Sequence, residues 1–258
     1  MRIVIKIGTS TLAHHTGLLN IQRVEGLCKV ISDLKNAGHQ IVMVSSGAIG
    51  IGIGKLFLSE RPDDIPTKQA AAAVGQCELM YTYDRLFSEY NHTVAQVLLT
   101  GEDFRHSLRR TNFENTVYRL LELGALPIIN ENDTIATEEI VIGDNDTLGA
   151  VVATAISADL LIILSDINGL YTADPHESKK AVLLSRVEKI TPDIEAMTGG
   201  AGSKLGTGGM QTKLHAAKIA TEGGVEMVIA NGKRPEILYD ILAEKPVGTH
   251  FIAKDKKQ

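Results

Sequence analysis

Short apolar segments of strand-like composition alternate with amphipathic helical segments along nearly all of this 258-residue chain. RIVIKIG (2–8) is rich in β-branched residues, and residues 20–37 follow with apolar side chains at helical spacing before Gly38. QIVMVSS (40–46) is almost wholly apolar, which is typical of a strand covered on both faces of a parallel sheet. This alternation predicts a three-layer αβα sandwich around a central, mostly parallel sheet, with ligands bound near the carboxyl ends of the strands.

The same alternation continues to the end of the chain. Strands are predicted at 93–99, 125–130, 160–166, 181–187, 226–231 and 249–253, and helices at 68–90, 107–123, 147–157, 209–222 and after Pro235. Segment 137–146 is more polar and is predicted to be an exposed hairpin arm, with loops at 57–67 and 199–209. Because no linker or repeat interrupts the pattern, we expect one domain over residues 1–258.

Composition and charge exclude several classes of function. The net charge is −5 and the basic residues are scattered, which argues against a nucleic-acid partner. No apolar run approaches the roughly 18 residues of a membrane span, and the N-terminus has a strand pattern rather than a signal-peptide pattern, so we expect a cytoplasmic protein without a membrane partner. Cys28 and Cys77 are isolated and the eight histidines lack metal-ligand spacing, so we expect no metal site built from the chain's own residues.

Polar and glycine residues gather where the predicted strands end. They form KIGTST (6–11), SSGAIGIGIG (45–54), NENDT (130–134), GDND (143–146) and SDINGLYTADP (165–175). Each has an ordinary reading, such as a tight turn at Gly8, or helix N-caps or turn residues at Asp133 and Asp146. Their repetition at successive strand ends favours a ligand site.

LGTGGMQTKLHAAKIA (205–220) runs from glycines straight into a helical sequence, with Lys213 one turn inside. Unpaired N–H groups at a helix N-terminus carry partial positive charge, and glycines let an anion approach them, so the segment suits a phosphate. A glycine before a helix is also common without any ligand. The usual nucleotide motifs are absent, since GIGIGK lacks the pattern of a P-loop and no G-x-G-x-x-G opens a helix.

Taken in order, KIGTS, SSGAI, INEND, GDND, LSDINGLYTADP and GTGGMQTK closely resemble the amino acid kinase family over residues 1–253, in particular its members that phosphorylate glutamate. The resemblance implies an αβα sandwich that transfers the γ-phosphoryl group of ATP, with Mg²⁺ carried by the nucleotide, to the γ-carboxylate of L-glutamate, the first step of proline synthesis. It also implies a homo-oligomer and feedback inhibition by proline. Many bacterial members carry a C-terminal RNA-binding-like domain, which we do not expect in this chain.

The resemblance also assigns roles to individual residues. Lys6 and Lys213 would bind phosphoryl oxygens, and Asp146 would orient them as the third catalytic residue. The other assignments are substrate binding by Ser46, Asp133 and Asn145; ATP binding by Lys6, Ser165, Asp166, Thr207, Gly208, Gly209, Met210, Gln211, Thr212 and Lys213; and a backbone facing the acceptor and transferred phosphate at Gly8, Thr9 and Gly47.

Elementary chemistry independently supports two of these expectations, the catalytic role of the lysines and the choice of free glutamate as acceptor. An ionised carboxylate needs no general base, so catalysis depends on cations that bring it up to a polyphosphate. Lys6 lies in a strand predicted to be central, where such a cation is expected.

Four acidic residues fall within sixteen positions: Glu131, Asp133, Asp144 and Asp146. If these carboxylates converge on the site, they need a compensating cation, and the α-ammonium of free glutamate supplies one that an N-acylated amino acid lacks.

Alternatives remain open from the sequence. Acetylglutamate, carbamate and aspartate kinases belong to the same family, and a catalytically silent amino-acid or nucleotide sensor could use the same fold. Both Lys6 and Lys213 are present, which argues against a sensor, since a sensor has no need of transition-state cations.

Overall fold

The computed structural model describes residues 1–14, 16–135, 144–175, 178, 180–198 and 209–254. Within these ranges the strands are β1 (Arg2–Ile7), β2 (Gln40–Ser45), β3 (Val94–Leu99), β4 (Leu126–Glu131), β5 (Leu160–Ser165), β6 (Arg186–Val187), β7 (Glu226–Asn231) and β8 (Thr249–Phe251). The helices are α1 (Thr9–Leu12), α2 (Ile21–Asn36), α3 (Ala48–Lys55), α4 (Ile65–Ser88), α5 (Gly101–Arg105), α6 (Ser107–Glu122), α7 (Asn145–Ala155), α8 (Pro192–Thr198), α9 (Gly209–Glu222) and α10 (Ile237–Leu242).

The strands form one sheet in the order β3-β4-β2-β1-β5-β7-β8-β6. All pairs from β3 to β7 are parallel, whereas β8 runs antiparallel to β7 and parallel to β6. One apolar core joins Ile3, Ile5 and Ile7 of β1 to α2 and α4, and the other joins Val4 to α6, α7 and α9 on the opposite face. The predicted αβα sandwich with a mostly parallel sheet is therefore confirmed.

Strand β1 lies at the topological switch point of the sheet, where the chain first adds strands on one side of β1 and then on the other. It pairs with β2 on one side and β5 on the other. Side chains alternate along β1, so Lys6 faces the same side as Val4, toward α7. Because ligands of open parallel sheets bind outside the strand ends at such a switch point, the end of β1 is where a site is expected.

Helix α3 was not predicted, because its glycines read as a loop at a strand end. It packs so closely on α4 that a Cβ on Gly52 would lie 1.8 Å from the Ala71 carbonyl oxygen, and one on Gly75 would lie 1.8 Å from the Ala48 oxygen. Glycines here let two helix backbones touch, which outweighs their low helix propensity.

Other differences from the predicted elements are local. Helix α4 begins at Ile65, inside the predicted loop 57–67, because the side chain of Asp64 caps it by accepting from the Thr67 N–H at 2.8 Å. The predicted strand 181–187 is reduced to Arg186–Val187, with an isolated bridge between Tyr171 and Leu183. Most of the predicted hairpin arm and of the 199–209 loop lies outside the described residues. Of the helices in the described ranges, none is long and apolar enough to cross a membrane.

Candidate active site

Two lysines share one aspartate at the centre of the molecule. Lys6 lies near the end of β1, Asp146 is the second residue of α7, and Lys213 lies in the first part of α9. The Lys6 Nζ is 2.6 Å from Asp146 Oδ1, and the Lys213 Nζ donates to Oδ2 at 3.0 Å. All three residues are buried, with 7%, 3% and 8% of their surface exposed respectively. The three residues assigned to catalysis are thus in contact.

The electrostatics of this cluster favour an ionised carboxylate. Burial alone would raise the pKa of Asp146, but the ammonium groups of Lys6 and Lys213 outweigh it and hold that pKa below its usual value. Burial lowers the pKa of Lys6, and Asp146 opposes this effect. Since one carboxylate faces two ammonium groups, the cluster has a formal surplus of positive charge and suits a polyanion.

The N-terminus of α9 adjoins the same carboxylate. Thr212 donates from its hydroxyl to Asp146 Oδ2 at 3.0 Å, and Lys213 Nζ also donates to the Gly209 carbonyl oxygen at 3.0 Å. Gly209 and Gln211 are exposed, and Met210 packs partly against the α7–α9 core. Thr207 and Gly208, the other two residues assigned to this segment, lie outside the described residues.

Ser165 is the last residue of β5, which lies next to β1 in the sheet, and Asp166 follows it. The buried hydroxyl of Ser165 donates to Asp166 Oδ1 at 3.1 Å. Asn231, at the end of β7, donates from its amide to the Asp166 carbonyl oxygen at 3.3 Å and to Asn168 Oδ1 at 2.8 Å. Asn231 belongs to none of the motifs in the sequence, and its place as a polar residue at a strand end is the available signal.

Gly8, Thr9 and Gly47 meet beside Lys6. The Gly8 N–H donates to the Leu164 carbonyl oxygen at 3.1 Å, which ties the end of β1 to β5. Gly47 precedes α3 with φ of 92°, in the left-handed region, and a Cβ there would lie 3.3 Å from Thr9 Cγ2. The three residues assigned to the phosphate-facing backbone therefore lie close together near Lys6.

Asn145 is the centre of a second polar group. Its Nδ2 lies 3.0 Å from three acceptors: the Ser45 carbonyl oxygen, Ser46 Oγ and Asn130 Oδ1. Asn130 donates in turn from Nδ2 to Gln76 Oε1 of α4 at 2.8 Å. The Asn145 and Ser46 assigned to the substrate are thus in contact, while Gln76 has no sequence signal, because a glutamine within a long helix is unremarkable.

The acidic residues divide into different environments. Burial raises the pKa of Glu131 to about 7, helped by Asp133 and Asp144, and burial also raises the pKa of Asp133. Asp144 caps α7, accepting from the Thr147 N–H at 2.8 Å and from its hydroxyl at 3.0 Å. The alternative reading of Asp146 as the N-cap is therefore wrong.

A cavity of about 420 Å³ lies away from these groups. It is lined by residues 14 and 16–19 together with parts of α2, α3 and α4, including Ile51, Thr82 and Leu86. Residues assigned to catalysis, substrate or ATP do not line it.

Comparisons with known proteins agree with this geometry. Residues 1–231 match the sequence profile of the amino acid kinase family. The chain is 55% identical to the glutamate 5-kinase of Clostridium acetobutylicum over 255 residues, covering 99% of this chain and 96% of that protein. It is 52% identical to the glutamate 5-kinase of Caldanaerobacter subterraneus subsp. tengcongensis, covering 98% of this chain and 68% of that protein.

Solved structures show the same fold at much lower identity. Carbamate kinase from Giardia lamblia bound to AMP-PNP superposes with a TM-score of 0.70 at 16% identity, covering 98% of both chains. Isopentenyl phosphate kinase from T. acidophilum, in a product complex, gives a TM-score of 0.68 at 18% identity and covers 97% of this chain and 100% of that one. The chain belongs to the amino acid kinase family and, within it, to the glutamate 5-kinases.

Proposed function

We propose that this protein transfers the γ-phosphoryl group of ATP to the γ-carboxylate of L-glutamate, giving L-glutamyl 5-phosphate and ADP in the first step of proline synthesis. The observation that carries the proposal is the buried group of Lys6, Asp146 and Lys213 at the carboxyl end of β1. The high identity to glutamate 5-kinases over nearly the whole chain supports the choice of acceptor.

The reaction needs electrostatic stabilisation more than proton transfer. A carboxylate oxygen attacks the γ-phosphorus and the bond to the bridging oxygen of ADP breaks, so no general base is required. Lys6 and Lys213 would hold the phosphoryl oxygens as charge shifts between nucleophile and leaving group, and Asp146 would fix both ammonium groups. The exposed backbone at the start of α9 would accommodate the nucleotide phosphates.

Mg²⁺ would arrive bound to the ATP phosphates, where it neutralises their charge. The chain's own residues fit this arrangement, because the oxygens of Asp146 are already engaged by Lys6, Lys213 and Thr212. In the described part of the chain, no group of three or more His, Cys, Asp or Glu residues forms a metal site.

The acceptor would lie beside Ser46, Asp133 and Asn145. Burial raises the pKa values of Glu131 and Asp133 because it penalises their charged forms, and an α-ammonium would supply a compensating charge. This favours free glutamate over N-acetylglutamate. The test is to supply ATP, Mg²⁺ and hydroxylamine and to trap the acyl phosphate as hydroxamate. We expect product with glutamate and much less with N-acetylglutamate or aspartate, and equal activity on N-acetylglutamate would refute the assignment.

We also propose that proline inhibits by occupying part of the glutamate site, since it keeps the α-carboxylate and a charged nitrogen but lacks the γ-carboxylate. Asp133→Ala should then raise KM for glutamate and weaken proline inhibition together, each by about 10-fold, as expected for one charged hydrogen bond. If Asp133 only shapes its loop, the variant should lose thermal stability and ATP affinity instead. A large rise in glutamate KM with unchanged proline inhibition would refute a shared site.

Two further expectations belong to the proposal. A homo-oligomer is tested by light scattering of the purified chain, and a single-chain mass would refute it. A cytoplasmic location, in keeping with amino-acid synthesis, is tested by cell fractionation.

A further inference from the structure

A relay of three side-chain amides connects α4 to the start of α7. Gln76 of α4 accepts through Oε1 from Asn130 Nδ2 at 2.8 Å. Asn130, at the end of β4, accepts through Oδ1 from Asn145 Nδ2 at 3.0 Å and from the Glu131 N–H at 2.9 Å. Gln76 and Asn130 are 9% and 1% exposed, so water cannot easily replace these bonds.

The direction of the relay is fixed by two backbone groups. The Glu131 N–H can only donate and the Ser45 carbonyl oxygen can only accept, so Asn130 Oδ1 faces Glu131 and Asn145 Nδ2 faces Ser45. Asn130 Nδ2 then points toward α4, where Gln76 Oε1 accepts from it and holds the side chain in place. If the amide of Asn130 were reversed, its NH₂ group would face the Glu131 N–H and leave it without an acceptor.

The relay ends at Asn145 Oδ1, an acceptor atom that is available to a bound ligand. Asn145 Nδ2 is committed to the Ser45 carbonyl oxygen, Ser46 Oγ and Asn130 Oδ1, which turns Asn145 Oδ1 away from them. That oxygen is buried and has no hydrogen-bond partner among the residues the structure describes. Buried carbonyl oxygens almost always have a donor, and an amino-acid ammonium group beside Asp133 would provide one.

We propose that Gln76 is a positioning residue for the amino-acid substrate: by accepting from Asn130 Nδ2, it holds Asn130 Oδ1 against Asn145 and so keeps Asn145 Oδ1 directed toward the substrate's ammonium group. The inference rests on the proposed function and extends it to a residue on a helix outside the substrate contacts. The competing reading is that Gln76 only satisfies a buried amide and stabilises the packing of α4 on β4.

Substitutions at position 76 separate the two readings. Gln76→Met keeps the approximate volume but removes the acceptor, and should raise KM for glutamate by about 10-fold, while KM for ATP changes less than about 2-fold. Gln76→Glu keeps an oxygen acceptor and should leave KM for glutamate within about 3-fold of wild type. Thr82→Val is the matched control, since Thr82 is also buried on α4 but faces the cavity, and its KM for glutamate should stay unchanged.

A double-mutant cycle tests whether Gln76 acts through Asn130. Asn130→Ala removes the amide that joins Gln76 to Asn145, so Gln76 can no longer act on Asn145 through it. In that background Gln76→Met should change KM for glutamate by less than about 2-fold, a clear departure from additivity. If Gln76→Met is poorly folded, Gln76→Ala replaces it in the cycle, and melting temperature is recorded for every variant.

Each outcome decides the question. Unchanged glutamate KM in Gln76→Met, or equal rises in the glutamate and ATP KM values with a lowered melting temperature, would overturn the positioning role and leave the proposed function intact. Absence of hydroxamate from the wild-type enzyme would overturn the proposed function and this inference with it.

Discussion

Replacement of Asp146 by Asn tests the electrostatic centre of the site most directly. The carboxylate contacts Lys6 at 2.6 Å and Lys213 at 3.0 Å with little exposure to water. At an effective dielectric near 20, each contact is worth about 5.5–6.5 kcal/mol before desolvation is subtracted. Removing one partner of a buried ion pair typically costs about 3–5 kcal/mol, because it leaves a buried charge uncompensated. Asp146→Asn should therefore lower the melting temperature by about 10 °C.

The pH dependence of the loss identifies its cause. Without Asp146, burial and Lys213 both lower the pKa of Lys6 further, so the folded variant binds fewer protons than the unfolded chain. The stability of the variant should then rise with pH below the ordinary lysine pKa of about 10.4, which narrows the difference in stability between the variant and the wild type. At acid pH the difference in stability between Asp146→Asn and the wild type should also narrow. The pKa of Asp146 is depressed in the wild type, so its contribution is present above the unfolded pKa and is lost as pH falls through the folded one.

The same variant should separate binding from catalysis. Two uncompensated ammonium groups attract a polyphosphate more strongly, so ATP should raise the melting temperature of Asp146→Asn more than that of the wild type. Its kcat should fall by about 10²–10³, since the lysines lose the group that orients them. Thermal melts from acid to alkaline pH, with and without ATP, give the result. A loss of stability below about 1 kcal/mol with a flat pH profile would refute the reasoning.

Three further predictions concern other parts of the molecule. Lys6→Ala or Lys213→Ala should lower kcat by about 10²–10³ with the fold retained, and near-normal kcat would show that lysine to be peripheral. Glutamate KM should fall as pH rises from about 6 to 8, because the substrate's ammonium group binds better once Glu131 (pKa about 7) ionises. Glu131→Gln should flatten this pH profile of KM, and an unaltered slope in the variant would contradict the role of Glu131. Gly75→Ala should destabilise by about 1–3 kcal/mol in denaturant melts, since its Cβ would meet the α3 backbone, whereas Gly26→Ala, with 3.5 Å of clearance, should not; equal effects would contradict the argument.

The fold could be predicted from the sequence because each buried strand and each long helix has its own local periodicity. Helix α9 and strand β7 have the predicted bounds, Gly209–Glu222 and Glu226–Asn231. The missed helix α3 owes its formation to a tertiary contact: Gly52 and Gly75 are unfavourable in a helix until two backbones come together at them. A contact between distant segments leaves no periodic signal in either one.

The sequence predicts which residues belong to the candidate site better than it predicts which of their atoms are in contact. Lys6 and Asp146 belong to recognisable segments, and a lysine in a central apolar strand has its own physical rationale. Which atoms meet could not be predicted, because Asp146 joins Lys6 and Lys213 only after α7 and α9 have packed beside β1. Gln76 is further removed from any sequence signal, since its proposed role depends on a hydrogen bond to an amide at the end of β4.

The first turn of α7 joins the two chemical halves of the site. Asn145 and Asp146 are consecutive, and successive helical residues point about 100° apart, so their side chains serve different neighbours. Asn145 contacts Ser46 and Asn130 on the proposed acceptor side, whereas Asp146 contacts the lysines on the phosphate side. The cap by Asp144 fixes this turn, so a substitution that loosens it would move acceptor and phosphate contacts together. In-line transfer requires both to be held at one separation, and a single capped helical turn provides that constraint.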